Sequence, residues 1–557
     1  MTQAQTAALQ MIDVLREYGV DRVFGIPGGA ISGLYAALLQ RTDVQHVTAK
    51  HESGAAFMAM GYAMATGRPG VVFTTAGPGI TNALTGLASA YYEGVPVVLI
   101  AGEVSRSAFG RGALQESAAT GLDATALTRS ITKFTAQLTQ PGPAASVLRK
   151  ALATAYSGRR GPVFLSLPLD VAATEVPVQP ISGGVRSSFE VDSAGCRTAM
   201  EQLSRASRPL IIAGSGMRDR SSRRVLRRLA ENVGAPVVVS TKAKGVFPED
   251  HPLYLGIFGF GGHESVSDYL RDGVDVLLVC GAGLNDFSTN AWSPLLKGER
   301  AFIQIDIDAA RIGRNYPVTL GLLGPGDAVI GRMLEHAPDS RTPRGAPTAG
   351  MRVEPYATAA SGALSTIDVV RAMNVHCPGD AVYTADMGEH LAVALHYLRV
   401  GEAADFITCL GLGSMGSGIC SAIGYQMGVG SRRTYAICGD GGFLMFGSEF
   451  ATAVQHDVPV TFVIINDSRL NMVHHGMRDL YGSTPDFSTQ LIDFARLAQS
   501  MGGEGIVIRT HDELNDALRA IPTRARVLDV RVDPEVRLMG SQRNAALRQF
   551  KEGPNGK

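Results

Sequence analysis

The chain has 557 residues, room for three or four domains at roughly 150 residues each. Lys plus Arg and Asp plus Glu each number 51, so the net charge is zero and there is no electrostatic footprint for nucleic acid or an anionic membrane. Apolar residues are 45% of the chain, far from a disordered composition, and the outlier is glycine, 65 residues or close to 12% against an average of about 7%.

From the N-terminus, Thr2 to Gly19 reads as an amphipathic helix carrying Asp13 and Glu17, not as the apolar core of a secretion signal. Apolar runs such as Val95–Ala101 and Val460–Ile465 are strand-length, well short of the roughly 18 residues a membrane helix needs. The six cysteines show no CxxC spacing, which argues against a disulfide framework or a zinc site. Together these features predict a soluble, cytoplasmic protein.

Short apolar runs that end in glycine and lead into helix-like stretches recur along the whole chain, the pattern of βαβ units. The predicted fold class is α/β, with doubly wound parallel sheets. Val71–Phe73 leads to Gly77-Pro78-Gly79, a helical stretch to Glu93 and the strand from Val95. Thr434–Cys438 leads to Gly439-Asp440-Gly441, a helical stretch to His456 and the strand from Val458. The two layouts match, which predicts two domains of one design. Between them, strands at 209–213, 236–240, 274–279 and 301–307 predict a third α/β unit. Composition breaks at 179–187 and 336–365 then give domains 1–180, 188–335 and 366–535, a linker 336–365 and a tail 536–557.

The sharpest chemical signal is Gly439-Asp440-Gly441-Gly442 between a strand and a helix. Glycines there let backbone N–H groups approach a phosphate. A carboxylate in such a loop makes sense with a cation between, which suggests Mg²⁺. Asp467 follows 27 residues later, directly after the next strand, as a second oxygen ligand.

These residues resemble the thiamine diphosphate enzymes, specifically the acetohydroxyacid (acetolactate) synthase-like group of 2-oxo acid decarboxylases and carboligases. Further matching stretches are Phe24–Ala30, His51–Ala55, Gly77–Asn82, Ala113–Glu116, Ile305–Asp308 and Gly411–Gly416. The resemblance implies an N-terminal pyrimidine-binding domain, a central domain and a C-terminal diphosphate-binding domain. It also implies a homodimer or homotetramer with the cofactor between the first domain of one subunit and the third of another.

By the same resemblance Glu52 is the catalytic acid/base on the aminopyrimidine ring, Met415 the wedge that bends the cofactor, and Gln115 a polar catalytic-site residue. Pro27, Gly28, Pro78, Asn82, Gly388, His390, Gly413, Ser414, Gly439, Asp440, Gly441, Gly442, Asp467 and Met472 are implied cofactor contacts. Asp440, Asp467 and the Arg469 carbonyl are implied metal ligands. Gly29, Gln115, Val473, His474, His475 and Gly476 are expected around the substrate.

Several positions depart from the synthases. Gly476 stands where they carry a tryptophan that favours 2-oxobutyrate as acceptor, Leu169 replaces a typical lysine, and Asp467 stands where Asn is usual. Arg159 matches a flavin-contacting arginine, but Gly281–Phe287 lacks the arginines of the matching loop, so FAD is not expected. The expected activity is decarboxylation of a 2-oxo acid such as pyruvate and transfer of the acyl anion to a second carbonyl compound. The rivals are a decarboxylase or aldehyde lyase without ligation, and a non-catalytic binding or regulatory homologue.

Overall fold

The computed structural model describes residues 4–178, 189–338, 350–355 and 362–537. The break at 179–187, much of the 336–365 segment and all but two residues of the 536–557 tail lie outside the described residues.

Three six-stranded sheets, all parallel, form the framework. The first contains Arg22–Gly25, Gln45–Thr48, Gly70–Thr74, Val97–Glu103, Phe134–Gln137 and Val163–Pro168. The third contains Val382–Ala385, Asp405–Thr408, Thr434–Gly439, Thr461–Asn466, Glu504–Ile508 and Arg526–Arg531. Numbered along the chain within each sheet, both run 2-1-3-4-6-5, so the two matching layouts in the sequence are two copies of one topology. The middle sheet contains Pro209–Ala213, Val237–Ser240, Tyr254–Phe258, Val276–Cys280, Ala301–Asp306 and Leu320–Leu323, and runs 3-2-1-4-5-6. Most of these strands are buried on both faces, which is why they read as continuous apolar runs rather than alternating ones.

Two local expectations change. The first helix spans Ala7–Glu17 rather than starting at Thr2, because Thr6 is extended and its hydroxyl caps the Leu9 N–H; Ala4–Thr6 pair antiparallel with Glu175–Pro177 instead. The helical stretch after Asp440 is broken into Asp440–Phe446, a 3-10 turn Gly447–Glu449 and Phe450–Gln455. Among the described residues no helix is long and apolar enough to cross a membrane, and all six cysteines are free, five of them buried.

The first and third sheets are joined through helix Glu52–Thr66 and helix Ser417–Val429, each of which follows the second strand of its own sheet. Helix 52–66 is buried from Glu52 to Ala63 and lacks a polar face, as a helix enclosed on all sides must. Its crossing with helix 417–429 leaves no room for side chains. A Cβ on Gly61 would lie 2.1 Å from the Ser421 carbonyl oxygen, and one on Gly424 would lie 1.8 Å from that of Met58. Gly86, on helix Pro78–Glu93, meets Ala56 in the same way from another side, at 2.5 Å.

Gly61→Ala is expected to cost ~1–3 kcal/mol through forced separation of the two helices. Gly331→Ala, in helix Gly326–Leu334 with open space around it, is expected to gain about 0.5–1 kcal/mol. Urea denaturation of both variants checks the contrast, and equal effects would contradict it.

Candidate functional site

The C-terminal ends of adjacent strands in the third sheet place two carboxylates together. Strand Thr434–Gly439 pairs with strand Thr461–Asn466 in parallel, so Asp440 and Asp467 emerge at one edge. Asp440 opens its helix, and its Oδ1 accepts the Gly441 N–H at 2.7 Å. Asp467 Oδ1 accepts the Arg469 N–H at 3.1 Å, and Oδ2 accepts from the Asn471 amide at 2.6 Å. Burial, and next the Asp440 charge, push the Asp467 carboxyl up to about 7; burial also raises Asp440.

The Arg469 guanidinium is turned away, onto Asn471, the Pro534 carbonyl and Glu535. Its own carbonyl accepts the Asn471 N–H at 2.8 Å and keeps one lone pair. Asn471, which sequence reasoning did not single out, thus ties the whole Asp467–Arg469 loop together.

A second hub also escaped the sequence reading. Asp386, fully buried after strand Val382–Ala385, accepts the N–H groups of Gly416 at 2.7 Å and Gly418 at 3.0 Å. Burial pushes its carboxyl up to about 6. It joins the turn Asp386–His390 to the loop Gly411–Gly418, and a Cβ on Gly442 would strike its Oδ2 at 2.4 Å. Beside it, His390 is buried with its Nε2 unpartnered, and burial lowers its pKa to about 4, so the ring is neutral near pH 7. The His390 ring lies against Gly388 and 3.4 Å from a Cβ position on Gly439. Met415 is half-buried and its methyl lies 3.3 Å from a Cβ position on Gly441, while Met387 sits against Gly413.

The loop with Met415 is also held from the first domain. Ser414 Oγ is 3.0 Å from Ser89 Oγ, and Glu93 accepts from the Gly411 N–H at 2.5 Å and from Lys242 Nζ at 2.8 Å, so one carboxylate touches all three sheets' domains.

The first domain supplies the other residues. Glu52 is 7% exposed at the start of its helix, and its Oε2 accepts from the Asn82 amide at 3.0 Å. The Ser53 hydroxyl donates to the Asn82 carbonyl, which clamps Asn82 against that helix start. Gly77 adopts φ +61 immediately before Pro78, a conformation that favours glycine, and its N–H donates to Ser117 Oγ at 2.8 Å. Gln115, also at positive φ (65°), packs on Gly77 and lies 3.4 Å from Thr75 Oγ1. A Cβ on Gly28 would strike Thr75. Pro27, Gly29, Pro78, Asn82 and Gln115 are exposed.

Helix Asn471–Tyr481 separates the residues expected around the substrate. Val473 is 48% exposed and Gly476 has open space around its Cα. His475 faces inward, with Nδ1 2.9 Å from the Glu389 carboxylate and a buried, unpartnered Nε2. The His474 ring lies edge-on to it at 5.5 Å. The structure therefore brings together Glu52 with Asn82, Gln115 with Gly77, Asp440 with Asp467 and Met415 with Gly441. Among the described residues, no hydrogen bond runs from Glu52, Asn82 or Gln115 to Asp440, Asp467 or His390.

The arrangement matches three family models in chain order: the N-terminal TPP binding domain of thiamine pyrophosphate enzymes over residues 5–122, the central domain over 196–333 and the C-terminal TPP binding domain over 386–530. The chain belongs to the thiamine pyrophosphate enzyme family. It is 33% identical over 537 residues to the acetolactate synthase large subunit of Parasynechococcus marenigrum, covering 93% of this chain and 86% of that protein. It is 31% identical over 563 residues to the acetolactate synthase isozyme 3 large subunit of Escherichia coli, covering 95% of each. Among solved structures, a thiamine diphosphate-dependent 4-hydroxybenzoylformate decarboxylase of Rhodococcus jostii RHA1 shares the fold, with a TM-score of 0.84, 23% identity and coverage of 95% of this chain and 99% of that one.

The raised Asp467 carboxyl has a measurable consequence. Unfolded, it ionises near 4; folded, it keeps its proton to about 7. Within that window the folded state binds more protons, so stability falls as pH rises. In protein free of divalent cations the unfolding midpoint is expected to drop between about pH 4 and about pH 7, and Asp467→Asn to flatten that slope. An unchanged slope in the variant would contradict the assignment.

Proposed function

We propose that the protein is a thiamine diphosphate- and Mg²⁺-dependent carboligase, acetolactate synthase-like, that decarboxylates a 2-oxo acid, pyruvate first among them, and transfers the acyl unit to a second carbonyl compound. The observation that carries the reading is the Asp440–Asp467 pair. Two carboxyls held together against burial and mutual repulsion are costly alone, and a divalent cation between them turns that cost into a binding site. The Arg469 carbonyl would be the third protein oxygen. The unpartnered Nε2 of buried His390, with Gly388 and Gly439 beside its ring, fits a diphosphate that Gly413, Ser414, Gly441 and Gly442 would also border.

When bound, thiamine diphosphate supplies the carbon nucleophile and the electron sink. The chain's share is positional. Glu52 would hold the proton at the aminopyrimidine ring nitrogen, kept in place by Asn82, with Pro27, Gly28 and Pro78 bordering the ring. Met415 and Met472 would brace the cofactor's bend. Gly29, Gln115, Val473, His474, His475 and Gly476 would border the substrate, and the open space at Gly476 favours a larger acceptor than a tryptophan there would admit.

A second copy of the chain would complete the site. Leu412, Leu444, Met445 and Val473 are 41%, 49%, 59% and 48% exposed around the third domain's residues, and Leu114, next to Gln115, is 87% exposed. The domain limits 1–180, 188–335 and 366–535, a cytoplasmic location and the absence of FAD belong to the same reading. For FAD, visible absorbance of the purified protein is the check, and a flavin band would overturn that part.

Glu52→Gln is expected to lower turnover about 10²–10⁴-fold while calorimetry shows thiamine diphosphate binding with Mg²⁺ nearly unchanged. Wild-type turnover in that variant would sink the mechanism. Incubation with pyruvate alone separates the rivals: acetolactate or acetoin marks ligation, acetaldehyde alone marks simple decarboxylation, and no cofactor binding marks a non-catalytic homologue.

A further inference from the structure

Glu449 is fully buried in the third domain, at the 3-10 turn Gly447–Glu449 that interrupts the helical stretch after Asp440. Its carboxylate reaches into the first domain. Oε1 accepts the His51 N–H at 2.9 Å and the Lys50 N–H at 3.0 Å; Oε2 accepts the Lys50 N–H at 3.1 Å and the Thr452 hydroxyl at 2.7 Å. The Lys50 ammonium does not pair with it, because Nζ donates to Gln455 Oε1 at 2.7 Å. The carboxylate also dictates residue 54, since a Cβ on Gly54 would lie 2.2 Å from Oε1.

A buried carboxylate without a bonded cation is expensive, and burial raises this one. A neutral apolar side chain would avoid that penalty but leave the Lys50 and His51 N–H groups without this acceptor. The carboxylate accepts from two successive backbone N–H groups just ahead of the positive end of a helix, where negative charge is favoured. Those two groups belong to Lys50 and His51, the residues immediately before Glu52. Glu52 is thus held from two directions, its carboxyl by Asn82 and the two residues that precede it by Glu449.

We propose that Glu449 is a positioning residue for Glu52, anchoring Lys50 and His51 to the third domain so that the Glu52 carboxyl meets the aminopyrimidine ring in one place. The proposal rests on the role given to Glu52 above. Displacement of a reacting group by about 1 Å costs on the order of 10²-fold, and with Glu449→Gln, whichever way the amide lies, the Lys50 N–H meets a donor in place of one of its two acceptor oxygens.

The test uses full-length wild type and variants, saturated with thiamine diphosphate and Mg²⁺. It measures exchange of the thiazolium C2 proton for deuterium by acid quench and NMR, with cofactor affinity by calorimetry alongside. Glu449→Gln is expected to slow the exchange about 10²-fold while cofactor affinity holds within about threefold. Gly54→Ala, whose methyl displaces the same carboxylate, is expected to do the same, and Glu449→Asp to recover part of the rate. In a Glu52→Gln background Glu449→Gln should add nothing. Exchange at the wild-type rate in either folded variant, or independent multiplication of the Glu52 and Glu449 effects, overturns the proposal. Should Glu449→Gln fail to fold, Gly54→Ala decides. Wild-type exchange that does not depend on Glu52 would instead bring down the Glu52 reading itself.

Discussion

The backbone contact between helix 52–66 and helix 417–429 is the constraint from which the rest of the molecule hangs. Both helices hold the same place in two copies of one sheet topology, and glycines at 61 and 424 let each approach the other's carbonyls more closely than any side chain permits. The two sheets are therefore held at a fixed distance with no adjustable layer between them. Glu52 opens one of these helices, and Met415 and Gly416 lead into the other, so the first-domain and third-domain site residues of one chain are referenced to a single crossing. Helix 78–93 reinforces it, with Asn82 near one end on Glu52 and Ser89 and Glu93 toward the other on the Gly411–Ser414 loop.

The buried carboxylates sort by what satisfies them. Asp386, Glu103 and Glu449 accept mainly from backbone N–H groups, and each pins a loop or helix start of the other elements around the site. Asp440 and Asp467 differ, because the Asp440 charge raises the cost of ionising Asp467 and each keeps lone pairs uncommitted. A chain of zero net charge has thus brought two carboxyls together at one strand edge, and that pairing is the electrostatic ground for the cation proposed there.

Much of this was legible in the sequence. Apolar runs ending in glycine marked parallel strands, the two similar layouts marked two equal sheets, and Gly439-Asp440-Gly441 with Asp467 marked the strand edge. The residues that escaped, Asp386, Glu93, Asn471 and Glu449, are single polar side chains without a motif of their own. Glu449 bonds to Lys50 across 399 positions of sequence and Glu93 to Gly411 across 318, separations over which no local pattern has meaning. The same holds for the break at Gly447–Glu449, which places Glu449 on the first domain's backbone.

The sequence by itself determined the α/β class, the repeated design and the motif that places Asp440 at a strand end, because strand burial and turn chemistry are local properties of neighbouring residues. The glycine excess includes the Gly439-Asp440-Gly441-Gly442 run, where backbone N–H groups can approach a phosphate. The tertiary structure divided it: Gly29 and Gly476 lie open, whereas Gly54, Gly61, Gly86 and Gly424 exist to let backbone, a carboxylate or a neighbouring side chain come close. It also turned His475 inward onto Glu389 while leaving Val473 on the open face of the same helix. Whether a missing Cβ makes room for a ligand or for another helix depends on what stands about 2 Å away, and here that neighbour often comes from hundreds of residues along the chain.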